Sequence, residues 1–234
     1  MRPVERGPIP SAPDGAPRVF AEYQDARADL IAHLGEYCSY CEMQLDASLA
    51  VEHVQPKKGP GAQPHLALDW GNFLLGCTNC NSTKGHRAIV IDDYYWPDRD
   101  NTLRMLVYKE GGIVQPHPDL TPDVQERARR TIEMVGLDKN PLNDPQASNR
   151  RWNNRREAWD MAERARQRLA AHDTERMRDQ IVETAQAKGY WSVWMTAFAD
   201  DADMRQRLIT AFPGTAIACF DEHGLVVTRP GGRI

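Results

Sequence analysis

The chain lacks several features that would assign its class at once. No apolar run in its 234 residues approaches the roughly 18 needed to cross a bilayer. The opening stretch MRPVERGPIPSAPDGAPRVF has no apolar segment of signal-peptide length. A soluble, cytoplasmic chain is the expectation. Positive charge is not in excess either: the formal net charge is −4, so there is no global basic signal for nucleic acid. A Gly-x-x-x-x-Gly-Lys-Ser/Thr phosphate loop is absent, and with it any sign of an ATP site. There is no internal repeat of useful length. Cysteines number only five. Four of them form two Cys-x-x-Cys pairs, which in a reducing compartment read as metal ligands before disulfides. The fifth, Cys219, reads as a buried structural thiol.

What is present is concentrated. Cys38/Cys41 and Cys77/Cys80 bracket a stretch that contains Glu52, His53 and Asn72, and Asn81 follows the last cysteine. Two thiolate pairs complete a tetrahedral four-cysteine site with no open position, which predicts a structural zinc ion. Its binding energy would become folding energy for the segment. Between the pairs lie groups suited to phosphodiester hydrolysis. A histidine is a general base at neutral pH. A carboxylate supplies a hard oxygen for a magnesium-class ion. An asparagine can add a carbonyl oxygen or orient a histidine. Charge is uneven along the chain. Residues 53–87 hold Lys57, Lys58, Lys84 and Arg87 against Asp69, and nine arginines crowd residues 150–178. A basic active-site face on an acidic protein fits this pattern, as do ordinary solvated helix faces. The Arg150-Arg151-Trp152-Asn153-Asn154-Arg155-Arg156 run is open to two readings: a phosphate grip with Trp152 stacked on a base, or a helix with its tryptophans turned inward.

The pattern predicts elements as follows. A helix runs from about Phe20 to Leu34 with Gly35 as its cap. A short strand covers 49–54 and ends before Pro56. A helix starts near Asn79 or Asn81, with an amide as N-cap. Leu103–Tyr108 and Ile113-Val114 flank Gly111-Gly112 as a hairpin. Thr121-Pro122 opens a helix to Val135, stopped by Gly136. Further helices cover about 147–172 and 174–188. Tyr190–Phe198 is an aromatic-rich helix packed inward, and a strand pair spans 216–227. The prolines of residues 1–17 suggest an extended arm or disordered lead-in. The division is then 1–17 arm, 18–96 core with the metal site, and 97–234 hairpin plus helical accessory or partner-binding lobe.

Cys38-x-x-Cys41, Val51-Glu52-His53-Val54-Gln55-Pro56, Trp70-Gly71-Asn72 and Cys77-Thr78-Asn79-Cys80-Asn81-Ser82-Thr83-Lys84-Gly85 together resemble the HNH endonucleases. The resemblance implies an α+β fold: a ββα-metal core stapled by zinc, then a β-hairpin and a mostly helical C-terminal lobe. It implies His53 as general base and Asn72 as the residue orienting the base and its loop. Glu52 and Asn81 are implied as ligands of a catalytic Mg²⁺ or Mn²⁺, oxygen donors favouring these over zinc. Glutamate departs from the family's more frequent aspartate or histidine at that position. Lys57, Lys58, Lys84 and Arg87 are candidate nucleic-acid contacts. His86 reads as a surface residue of its helix, and His65 and His117 receive no role. The stretches Tyr37–Glu42, Glu52–Lys57 and Ala128–Leu137 with Asn140 and Leu142 look, more broadly, like HNH nucleases of retron and Septu antiphage systems. That implies DNA as substrate, a defence role and a separate ATPase partner. A zinc-ribbon binding module without catalysis, and an RNA-directed nuclease with the same site, remain as alternatives.

Overall fold

The computed structural model of the chain describes residues 1–141, 143 and 150–234. The element α1 (Arg27–Leu34) follows a single 3₁₀ turn at Tyr23–Ala26, so the helix starts later than its apolar spacing suggested. It buries Leu30 and Leu34 and stops at Gly35, whose φ of 74° an L side chain seldom adopts. Strands β1 (Leu49–His53) and β2 (Phe73–Cys77) form an antiparallel pair in which Glu52 faces Leu74 and His53 faces Phe73. All five residues of β2 are buried. Helix α2 (Thr78–Lys84) leaves β2 without a connecting loop. Its cap is not an asparagine amide: the Cys77 sulfur accepts from the Cys80 N–H at 3.4 Å. A metal ligand thus also starts the helix. This β–β–α unit is the smaller half of an α+β fold.

The second half packs onto it. Strands β3 (Leu106–Lys109) and β4 (Ile113–Pro116) form the expected hairpin. Helix α3 (Pro122–Val135) starts at Pro122 and ends at a left-handed Gly136. The Thr121 hydroxyl donates to Asp123 instead of capping the helix backbone. Helices α4 (Arg151–Ala171), α5 (Glu175–Lys188), α6 (Trp191–Ala197) and α7 (Ala202–Ala211) follow. The first residues assigned to α4 by sequence, 147–149, lie outside the described residues. Trp191 and Trp194 are fully buried, with indole N–H groups donating to the carbonyls of Leu208 and Gly189. The aromatic helix is core, as its spacing predicts. Helix α7 has no counterpart in the sequence reading, and its N-cap is the Asp201 carboxylate. The expected 216–227 strand pair reduces to a 3₁₀ turn and one bridge between Phe220 and Val226.

The proline-rich lead is extended but held. Val4 N–H donates to Pro97 O, Glu5 N–H to Gly214 O, and Arg2 donates to Leu34 O. Met1, Arg2 and Val4 are buried, and Met1 belongs to the same apolar cluster as Leu30, Trp96, Ile132 and Trp194. Among the described residues, no helix is long and apolar enough to cross a membrane.

The α4–hairpin contact is backbone against backbone. A Cβ placed on Gly112 would lie 2.5 Å from Trp152 O and 2.8 Å from Arg156 N, whereas one on Gly111 meets only the Ile113 side chain, at 3.9 Å. Both glycines have positive φ. Gly112→Ala should therefore destabilise the protein by more than about 2 kcal/mol, and Gly111→Ala by only about 1 kcal/mol. Denaturant unfolding of the two variants checks the order; equal losses would contradict it.

Candidate active site and metal centre

The turn at Cys38–Cys41 and the β2–α2 junction bring four buried sulfurs within 4.8 Å of one another. The Cys41 and Cys77 sulfurs are 3.7 Å apart. Tetrahedral thiolate coordination at about 2.3 Å places sulfurs about 3.8 Å apart, so the cluster fits one ion of that kind. Cys77 N–H also donates to the Cys38 sulfur at 3.3 Å. Four thiolates around a divalent ion leave excess negative charge, and the structure supplies a cation for it. The Arg151 guanidinium donates to the Cys80 sulfur at 2.8 Å, to Val135 O at 2.8 Å and to Gly136 O at 3.1 Å. This corrects the phosphate-grip reading of the arginine run. Arg151 and Arg155 are both 2% exposed, and Arg155 donates to Gly112 O and Leu137 O. They bind the fold, not a ligand in solvent. Arg156 stays exposed beside the Trp152 ring.

The ends of β1 and α2 meet in a cleft of about 140 Å³ lined by Tyr23, Glu52, His53, Lys57, Asn81 and His86 among others. His53 is 8% exposed and reaches this cleft. Its ring packs edge-on to Phe73 and tilts against Tyr23. Nε2–H donates to Ala67 O at 3.0 Å, the tautomer this bond favours, which leaves Nδ1 with its lone pair. Burial pushes the imidazole pKa below its ordinary 6.5; the Ala67 bond opposes this, and the nearby Lys57 and Lys84 charges add to it. Asn72 does not touch the ring in any hydrogen bond. It accepts from Gln55 N–H at 2.8 Å and donates to Gln55 O at 3.0 Å and Leu66 O at 3.2 Å. One amide thereby ties the segment after His53 to the turn that presents Ala67.

Glu52 and Lys84 differ from the expected arrangement. Each is 2% exposed. Glu52 Oε1 lies 2.8 Å from the Lys84 ammonium, and Oε2 accepts from the Tyr40 hydroxyl at 2.7 Å. Burial raises the Glu52 carboxyl pKa, while Lys84 and Tyr40 pull it down. Lys84 also donates to His53 O at 2.7 Å. It is an internal strut and not the exposed phosphate contact its position suggested. Asn81 is partly exposed in the cleft, one turn before the helix ends. Lys57 lines the cleft with its ammonium 3.1 Å from the Tyr23 ring centroid. Lys58 is exposed nearby, and the exposed Arg87 caps α2 through the carbonyls of Lys84 and Thr83. His86 lies on the cleft rim; His65 and His117 lie away from it. Tyr40 and Tyr23 were missed by sequence reasoning. Tyr40 carried a signal, since it sits between two ligands, but nothing in the sequence places its hydroxyl on Glu52.

Cys41→Ser and Cys77→Ser should each release the bound ion and lower Tm by on the order of 10 °C. Elemental analysis and thermal melting measure both, and a variant that kept full metal content and Tm would contradict the shared-ion geometry.

Comparison with known proteins agrees with this geometry. Residues 38–87 match the protein-family model described as HNH endonuclease. A protein of Vibrio cholerae serotype O1 biovar El Tor, named as an HNH endonuclease of retron Vc95, is 26% identical over 113 residues, covering 45% of this chain and 53% of its own. The Septu protein PtuB of Bacillus thuringiensis is 41% identical over 51 residues, covering 20% of this chain and 19% of its own. The chain therefore spans about half the length of the first relative and less of the second. With the four-cysteine cluster, the β–β–α unit and the family match all falling on the same stretch, residues 38–87 are an HNH endonuclease domain.

Proposed function

We propose that the protein hydrolyses phosphodiester bonds of DNA as the nuclease of an antiphage defence system, with zinc as the ion of the four cysteines. The observation that carries this reading is one imidazole, held by a backbone carbonyl on one nitrogen, with no hydrogen bond to its other nitrogen among the described residues, in a cleft beside lysine and asparagine side chains. A water molecule loses its proton to His53 Nδ1 as its oxygen bonds to phosphorus, the bond from phosphorus to the leaving oxygen breaks, and that oxygen takes up a proton from solvent water. Lys57 and Lys58 offset phosphate charge. Asn72 keeps the base and the Ala67 carbonyl in register.

A magnesium-class ion is part of the family resemblance, and the cleft meets that requirement only in part. The Asn81 amide has no hydrogen bond among the described residues and is available as a ligand. The Glu52 carboxylate is committed to Tyr40 and Lys84. The retron and Septu names of the two relatives support the defence role. We extend it to a separate ATPase partner that meets the helical lobe of residues 97–234, in the cytoplasm, where the thiols stay reduced.

His53→Ala should lower plasmid cleavage by at least about 10²-fold while the variant stays folded with wild-type metal content. Cleavage that survives the substitution ends this reading, and parallel digestion of single-stranded DNA and RNA decides the polymer. The pH dependence has a defined sign. The base works only when neutral, and its pKa lies below 6.5. Cleavage should rise with pH along an acid limb whose midpoint falls below 6.5, in rates measured from about pH 4.5 to 8. A midpoint at 7 or above contradicts the assignment.

A further inference from the structure

Three buried side chains connect the metal loop to the base. Tyr40 sits between Cys38 and Cys41 with 0% exposure and donates to Glu52 Oε2 at 2.7 Å. Glu52 Oε1 takes the Lys84 ammonium at 2.8 Å, and the same ammonium donates to His53 O at 2.7 Å. Lys84 is the last residue of α2, so it fastens the end of that helix to the end of β1. The room for this carboxylate comes from Gly76 on the neighbouring strand: a Cβ there would come within 3.1 Å of Glu52 Cβ and Cγ. From these contacts we infer that Glu52 is the charged centre of a buried Tyr40–Glu52–Lys84 strut and does not ligate a catalytic cation, and that Tyr40 and Lys84 are positioning residues for the His53 base.

A carboxylate has lone pairs left after two hydrogen bonds. A divalent ion approaching Glu52 would nevertheless meet the Lys84 ammonium, a like charge in a poorly screened interior. Magnesium-class ions also keep several water molecules, and a carboxylate at 2% exposure with both oxygens already paired offers little access to a hydrated ion. Paired and solvent-free, the carboxylate instead transmits the rigidity of the metal knuckle to the backbone of His53. The inference rests on the nuclease reading for its kinetics but not for its geometry, so the test has two readouts.

Tyr40→Phe removes one hydroxyl, and Lys84→Met removes the ammonium at similar length; both are made in the full chain with metal bound. The His53 imidazole is followed by NMR on histidine-labelled protein, its resonance assigned with His53→Ala. We expect both variants to move that resonance and to lower kcat about 10- to 100-fold with KM within about twofold, metal content being unchanged. Should Lys84→Met fail to fold, Tyr40→Phe alone decides. A His53 resonance and kcat that stay at wild-type values in Tyr40→Phe overturn the strut. Glu52→Gln keeps the side-chain shape and one accepting oxygen, replaces the other oxygen with a donating amide nitrogen, and loses the charge. Its Mn²⁺ half-saturation in the cleavage assay should stay within about threefold of wild type, and a shift of tenfold or more overturns the claim that Glu52 is no ligand. A wild-type protein that cleaves nothing would remove the nuclease reading alone, since the NMR readout still decides the strut.

Discussion

The structure depends on four sulfurs meeting within 4.8 Å. Two come from a tight turn after α1 and two from the junction of β2 with α2, so one cluster joins segments that are separated by the whole of β1 and its following loop. A two-stranded pair is marginal by itself in water. Here β1 and β2 end next to the cluster, and the sulfur of Cys77 starts α2 through the Cys80 N–H. Coordination energy of the size found in thiolate sites would be enough to hold such a unit. The cleft at the far end of β1 inherits that rigidity.

The interior charges follow from the same cluster. A tetrathiolate site in an apolar core attracts a cation, and Arg151 from α4 supplies it while also satisfying the carbonyls at the end of α3. Arg155, one turn on, satisfies carbonyls of the hairpin turn and of Leu137. The arginine-rich helix therefore binds the nuclease unit to the hairpin through two of its guanidinium groups, and its other arginines remain at the surface. The accessory half is joined by the buried charge and by the continuous apolar cluster, which runs from Met1 to Ile234.

The local elements were mostly legible. The short strand at Leu49–His53, the Gly111-Gly112 hairpin and the helix between Pro122 and Gly136 all carry their own start or stop signal. Misses arose where a tertiary contact overrode the local pattern. The proline-rich lead reads as an extended arm or disordered lead-in, and it is extended but held in place by backbone hydrogen bonds to Pro97 and Gly214. Helix α7 was overlooked although Met204, Leu208 and Ile209 lie at helical spacing and are buried on one face. The expected asparagine cap of α2 gives way to the Cys77 sulfur, which the four-cysteine cluster places at the start of the helix.

The sequence by itself determined the chemistry: the ligand spacing of Cys38, Cys41, Cys77 and Cys80, the candidate base His53, and the asparagines beside it. These are matters of residue type and short spacing, which the chain states locally. Only the tertiary structure decided which charges face the cleft and which face one another. Lys84 read from the sequence as a group for phosphate, as Arg151 and Arg155 did on one of two readings, but each ends in the interior, because a buried carboxylate, thiolate or carbonyl needs a donor and water is not there to provide it. That requirement depends on which segments meet, and no single stretch of sequence contains it.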